Sequence, residues 1–360
     1  MSIVYWGVLL AVVLCGSAAE GNPKAKLCRD GSFFIRPDPG MAFILSAILI
    51  LISGLRYRVG TDYMAYYSWQ VPTWENVWKN FLSFNESGFS LLTLLSRSIW
   101  DDRQSLILFS AVITVGLYTW TIYREGQAYL LSMLLYLFLG QWQGSFNAIR
   151  QYLAGAVLFA GYHYMLKKDY GKYILIVVLA SLFHKMALVM IVPCFLFLRK
   201  PDITQLVILA AGSIVLVFST DTVFRIIDTM KGKTTIFADE IAYRSNSVSL
   251  FRILVGFVPV LIYIFFCRKD RHTEKQDFFI NAAFFNAFAL LAGWKSAYLG
   301  RIGMYTNGFL VLGYHQILQL IRDDKARIIT YYFVVVLYLL FWLYSIQAGG
   351  ISAFQWVFSR

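Results

Sequence analysis

The chain has 360 residues, 59% of them hydrophobic and only 14% charged, and carries a formal net charge of +12. Apolar stretches approaching the roughly 20 residues of a bilayer span recur along the whole length, which excludes an ordinary soluble domain and points to a polytopic helical membrane protein. The basic excess lies singly or in short clusters between apolar runs, as in cytoplasmic loops, so nucleic acid is not the expected partner. The four cysteines, Cys15, Cys28, Cys194 and Cys267, show no CxxC spacing, and neither a metal site nor a disulfide framework is expected.

Residues 3–19 are apolar and close on Ser17-Ala18-Ala19, a small-residue stretch that could be a cleavage site. No Lys or Arg precedes them as a signal peptide requires, so they read as a retained first helix. Lys24, Lys26, Arg29 and Arg36 then mark a loop on the inside, and a second span, 41–55, runs outward. It delivers Arg56-Tyr57-Arg58-Val59-Gly60-Thr61-Asp62-Tyr63, with Tyr66 close behind, to the outer surface. Residues 56–87 read as an outer loop whose later part is polar and rich in Trp. Residues 88–100 contain Arg97 and are too short to cross, so they read as an interfacial or re-entrant helix.

Further spans are expected over 104–123, 128–140, 147–165, 203–219, 248–267, 278–294, 302–320 and 328–345. The apolar run 173–198 is interrupted by His184-Lys185 and flanked by basic clusters, Lys167 to Lys172 and Arg199-Lys200. It reads as a hairpin of two short half-spans with His184 and Lys185 near the tip, an irregularity tolerated where the backbone faces protein or a wet cavity. Arg124, Arg268 to Lys275, and Arg322 to Arg327 mark further inside loops, and 220–247 a second outer loop. The fold class is therefore all-α, a single multi-pass domain over residues 1–360 with about 12 transmembrane helices, short and broken ones included.

On this map Arg56, Arg58, Asp62, Glu86, Arg150, His184, Lys185, Lys295 and Arg301 converge on the outer ends of spans. A charge at bilayer depth costs about 2.5–3.5 kcal/mol, so such a concentration implies an outward-facing basic cavity with a few carboxylates. Each residue also has a structural reading. Arg58 could snorkel to headgroups, Asp62 could cap a helix after Gly60-Thr61, Arg150 could pair with Glu86 or Asp62, His184 could be a packing histidine, and Tyr305 could belong to the core or the aromatic belt.

In order, Leu55-Arg56-Tyr57, Val59-Gly60-Thr61-Asp62-Tyr63 with Tyr66, Glu86-Ser87-Gly88-Phe89, Asn147 with Arg150-Gln151, Phe183-His184, and Arg301-Ile302 with Tyr305 resemble the signatures of the EpsG family of polysaccharide polymerases, relatives of the Wzy-type O-antigen polymerases. Ser87 departs from the proline more usual after the glutamate. The resemblance implies a GT-C-like polymerase architecture in the bacterial inner membrane, with the active site facing the periplasm or exterior. It also implies transfer of a growing glycan from one polyprenyl-pyrophosphate carrier to the next lipid-linked repeat unit, in contact with membrane lipid and with a chain-length regulator as a possible partner.

The chemistry asks for cations at a departing pyrophosphate and a base at the acceptor hydroxyl. Asp62, Glu86 and His184 are the candidate catalytic groups. Arg56, Arg58, Tyr63, Tyr66, Arg150, Gln151, Lys185, Arg301 and Tyr305 form the candidate substrate-binding set. Asp101-Asp102 and Asp323-Asp324 lack DxD spacing, so no metal and no cofactor are expected. A lipid-linked glycan flippase and an O-antigen ligase are the competing readings.

Overall fold

The computed structural model describes residues 1–27, 33–222, 247–267 and 272–359. The described chain is predominantly helical and divides into two compact units, residues 1–191 with 331–360, and residues 192–330, where the sequence reads as one multi-pass domain.

In the first unit, α1 (Ile3–Gly21) starts on Ser2, whose side chain caps the backbone of Val4. A short antiparallel hairpin follows, β1 (Lys24–Leu27) with β2 (Phe33–Arg36), in which Lys24 pairs with Arg36 and Leu27 with Phe33. This hairpin is absent from the sequence reading, which takes Lys24, Lys26 and Arg36 as marks of an inside loop although Lys24-Ala25-Lys26-Leu27 alternates polar and apolar. α2 (Pro39–Gly54) has Pro39 in its first turn, and the Asp38 carboxylate accepts from Met41 N at 3.0 Å, a combination that fixes the helix start. α3 (Tyr63–Tyr67), α4 (Trp74–Leu82) and α5 (Ser87–Ile99) form a short-helix region before α6 (Gln104–Glu125). α7 (Tyr129–Phe138), α8 (Gln141–Gly144) and α9 (Ile149–Leu166) come next.

α10 (Tyr170–Ser181) stops at Leu182, and the chain resumes as a 3-10 turn over Lys185–Met190 before α11 (Ile191–Cys194). The expected interruption at His184-Lys185 is therefore present, with a 3-10 turn in place of a regular second arm. α2 packs on α6, α1 on α2 and α7, and α9 on both α6 and α10. The Gln104 amide donates to Gly54 O (2.6 Å) and Arg56 O (2.9 Å), tying the end of α2 to the start of α6.

The second unit contains α12 (Ile203–Phe218), capped by the Asp202 side chain. α13 (Leu250–Gly256) and α14 (Val258–Ile262) run on into a π-turn over Tyr263–Cys267. The run breaks at Phe257, just before Pro259, which has no amide hydrogen to donate to the preceding turn. α15 (Glu274–Ala292) opens with a capping box between Thr273 and Gln276, is followed by α16 (Ala297–Gly300), and packs along α17 (Gly303–Leu318). Most of the expected outer loop 220–247, and the first part of the Arg268 to Lys275 stretch, lie outside the described residues. α18 (Asp324–Ala348) is followed by a segment that returns to the first unit's loop: Val357 N donates to Leu55 O and Tyr57 N to Gln355 O, both at 2.8 Å.

Among the described residues, four helical segments are long and apolar enough to cross a membrane: Ile3–Gly21, Gln104–Glu125, Leu250–Cys267 and Asp324–Ala348. Pro39–Gly54, Tyr129–Phe138, Tyr170–Ser181 and Ile203–Phe218 are shorter apolar helices.

Candidate functional site

The site is built where the start of α5 meets the break after α10. Gly88 N and Phe89 N both donate to Leu182 O, at 2.9 and 3.3 Å. A side chain at Gly88 would bring its Cβ within 2.9 Å of Leu182 Cβ, so only glycine allows the two backbones to approach. Glu86 sits in left-handed backbone at φ 51° and does not cap α5 with its side chain. Its carboxylate is engaged elsewhere. One oxygen, Oε2, pairs with Arg150 Nη1 of α9, and the other accepts from Lys185 N at 3.1 Å. A non-glycine residue at positive φ costs on the order of 1–3 kcal/mol, and the two bonds that Glu86 makes from this position offset it.

His184 Nδ1 accepts from Met186 N at 3.2 Å, capping the 3-10 turn, and lies 3.9 Å from Glu86 Oε1. Glu86-Ser87-Gly88-Phe89 and Phe183-His184, which lie far apart in the chain, are thus two sides of one contact.

Arg150 projects from the first turn of α9 onto an aromatic floor. Its guanidinium lies 5.1 Å from the centre of the Trp69 ring and 5.9 Å from that of Phe89. Tyr66 stacks on Trp69 and bonds Arg150 through its hydroxyl, and Trp69 meets Phe89 edge-on at 5.5 Å. Burial raises the Tyr66 phenol above its ordinary pKa, with Arg150 acting in the opposite direction. About a third of the Arg150 side chain remains exposed. Trp69 is the participant that the motif reading missed; its only sequence signal is membership of the Trp-rich stretch.

The loop between α2 and α3 docks beside Arg150. Thr61 N donates to Asn147 Oδ1 at 2.8 Å, and Asn147 Nδ2 donates to Gly349 O at 3.3 Å. Gly60 has φ 107°, and a Cβ there would fall 2.6 Å from Asn147 Oδ1. This places Asp62, half-buried, at the head of α3, where its side chain does not cap the helix and accepts from Thr61 Oγ1 at 3.3 Å. The capping alternative for Asp62 is therefore not the one adopted.

Arg56 is 2% exposed and faces inward: Nη1 donates to Ser53 O at the end of α2, Nη2 to Phe146 O at 3.4 Å, and the guanidinium lies 4.5 Å from the centre of the Phe146 ring. Burial lowers its pKa to about 10, partly offset by Tyr63, Tyr5 and Tyr66, so it stays cationic at neutral pH. Arg58 is exposed, 5.3 Å from the Tyr57 ring centre. Tyr63 is buried and donates to Gln104 Oε1 at 2.7 Å; Gln151 is buried on α9. The Lys185 side chain is exposed while its backbone holds Glu86. Arg301 and the buried Tyr305 belong to the second unit. The structure thus brings together Tyr66, Glu86, Arg150, His184 and the Lys185 backbone, has Asp62 near Tyr66, and buries Arg56 and Tyr63.

The motifs assembled here match the model of one protein family over residues 41–357. The chain belongs to the EpsG family. No curated protein and no solved structure matches it. EpsG membership, with the apolar helices, suggests a membrane protein that acts as a polysaccharide polymerase or in a related glycan-processing role. The EpsG match takes in both the Glu86–Arg150 cluster and the Arg301-Ile302 block of the second unit.

Proposed function

We propose that the chain is a polysaccharide polymerase that transfers a polyprenyl-pyrophosphate-linked glycan onto the next lipid-linked repeat unit. The observation that carries this reading is Arg150, held by Glu86 at the uncapped start of α9 with about a third of its side chain exposed. A helix N-terminus with an arginine in its first turn favours an anion, as a leaving pyrophosphate requires. The Glu86 carboxylate is committed to Arg150 and Lys185 N, which leaves Asp62 as the carboxylate available to the acceptor.

In this mechanism the acceptor hydroxyl oxygen attacks the anomeric carbon of the donor sugar and passes its proton to Asp62. The bond from that carbon to the pyrophosphate oxygen breaks, and its electron pair leaves with the pyrophosphate, whose charge Arg150 stabilises. Tyr66 orients Arg150, and His184 holds the turn that presents Lys185 N. Arg58, the Lys185 ammonium and Gln151 complete the proposed binding set within the first unit, with Arg56 and Tyr63 supporting the Asp62 loop.

The wider setting belongs to the same proposal: a bacterial inner-membrane protein of about 12 spans in a GT-C-like arrangement, with Asp62 outside and Lys168 inside. Metal independence and a chain-length regulator as partner are further parts of it. The test is incubation of purified protein with a lipid-linked repeat unit alone, without nucleotide sugar or metal. A ladder of products is expected. Unchanged substrate in a preparation that moves lipid-linked glycan across vesicles would favour a flippase instead. Transfer to a different acceptor without laddering would favour a ligase.

A further inference from the structure

α4 is the described helix of eight or more residues in which no residue is buried, and its sequence is divided by face. Trp74, Trp78, Phe81 and Leu82 fall at the i, i+4, i+7, i+8 spacing of one stripe and are 64%, 62%, 49% and 64% exposed. Asn76, Lys79 and Ser83 occupy the opposite side and are exposed as well. The polar side is also where the helix is tied down: Asn80 Nδ2 donates to Ser90 Oγ of α5 at 3.0 Å, and Asn85 N returns to Asn80 O at 2.8 Å. α4 is therefore fixed in place with its apolar stripe uncovered.

What covers the stripe follows from where the helix is held. α5 packs on α6, and only four residues separate the end of α5 from Gln104, the first residue of a helix long and apolar enough to cross a membrane. The start of α6 is also bonded to the end of α2. Both helix ends mark the boundary of the apolar layer, so α4 lies at that boundary. Tryptophan at two of the four stripe positions, with lysine on the opposite face, suits the zone between headgroups and acyl chains.

We propose that α4 is a membrane-docking helix whose Trp74, Trp78, Phe81 and Leu82 face seats in the lipid leaflet at the Gln104 end of α6. Four residues beyond Leu82 the chain reaches Glu86, so this seating sets the depth of the Glu86–Arg150 pair relative to lipid phosphates. The docking itself does not depend on which reaction the site performs.

The experiment places spin labels by single cysteine substitution at Trp74, Trp78, Phe81 and Leu82 and at Asn76, Lys79 and Ser83. The full chain, with its native cysteines replaced, is reconstituted in phosphatidylethanolamine–phosphatidylglycerol nanodiscs without substrate. Collisions with oxygen, which partitions into lipid, should exceed those with a water-soluble nickel chelate several-fold at the first four positions. The ratio should invert at the other three. Ready access of the chelate to the first four would overturn the proposal and leave the stripe free for a glycan. Exclusion of both reagents there would overturn it in favour of a covering protein segment or second copy. A second measurement retains the apolar face: Trp74→Phe/Trp78→Phe should lose a share of the tryptophan emission that brominated lipids quench in the parent protein, and an unchanged quenched fraction would count against docking.

Discussion

The α6–α9 pair has an arginine–glutamate–histidine cluster beside each end, and the two clusters are built on opposite principles. At one end Arg124 and Glu125 are neighbours in the last turn of α6, and His163 lies in the last turn of α9. Arg124 reaches His163 Nδ1 at 3.1 Å, Ala160 O at 3.5 Å and the Trp120 ring at 4.7 Å, while Glu125 stays 4.0 Å away. A cation in a last turn is where the helix dipole favours it, and Gly126, at φ 71°, closes the helix in the ordinary way. The contacts there join the last turns of two helices that pack along each other.

At the other end Arg150 occupies a first turn, where the dipole opposes a cation, and it is held by Glu86, Tyr66, Trp69 and Phe89 from separate parts of the chain. That end has positive φ at Glu86 and backbone approaches at Gly60 and Gly88 that leave no room for a Cβ. The Arg150 end opposes local preference at several points and still closes, which is why it is the proposed site, whereas the Arg124 cluster follows local preference.

The largest effect should come from Asp62→Asn, which removes the proposed base but leaves its volume. Laddering should fall by about a hundred- to ten-thousand-fold at unchanged membrane protein level. Full activity would pass the base role to His184 or Glu86, and His184→Ala, expected to leave measurable laddering, separates these two. Next is Arg150→Lys, which keeps the charge and loses the planar fork. The loss of charge-assisted bonds worth about 1.5–3 kcal/mol should slow laddering by roughly ten- to a hundredfold. An active lysine variant would reduce Arg150 to a structural cation like Arg124.

Gly88→Ala tests the backbone contact. Overpacking against Leu182 should destabilise the chain by about 1–3 kcal/mol, seen as a lowered Tm in detergent, with laddering reduced through misplacement of Glu86. The smallest effect is expected from Arg124→Gln. Removing a partly exposed helix-end cation should change stability by about 1 kcal/mol or less and leave laddering intact. Damage equal to that of Arg150→Lys would erase the contrast between the two ends.

Motif order in the sequence singled out Asp62, Glu86, Arg150 and His184 as candidates, because family-typical residues recur in sequence whatever they touch. It left open whether Arg150 pairs with Glu86 or Asp62 and whether Asp62 caps a helix. Those are questions of distance between segments. Arg56 shows the limit most clearly: the motif placed it in the substrate-binding set, yet its guanidinium turns inward to Ser53 O and Phe146 O and is 2% exposed. Trp69 shows the reverse, since a tryptophan in a Trp-rich stretch has no local mark that it will stand under an arginine of α9.

The sequence by itself determined the helical, membrane-type character of the chain, the positions of the long apolar helices, though not of the shorter α3, α4, α8 and α16, and the break at His184-Lys185. Apolar length and the need to satisfy every backbone group within its own segment leave little choice in lipid. Tertiary structure alone decided which carboxylate is tied to Arg150, the β1–β2 pairing, the two compact units and the uncovered stripe of α4. These depend on pairings between residues distant in the chain, and no local period or propensity encodes them.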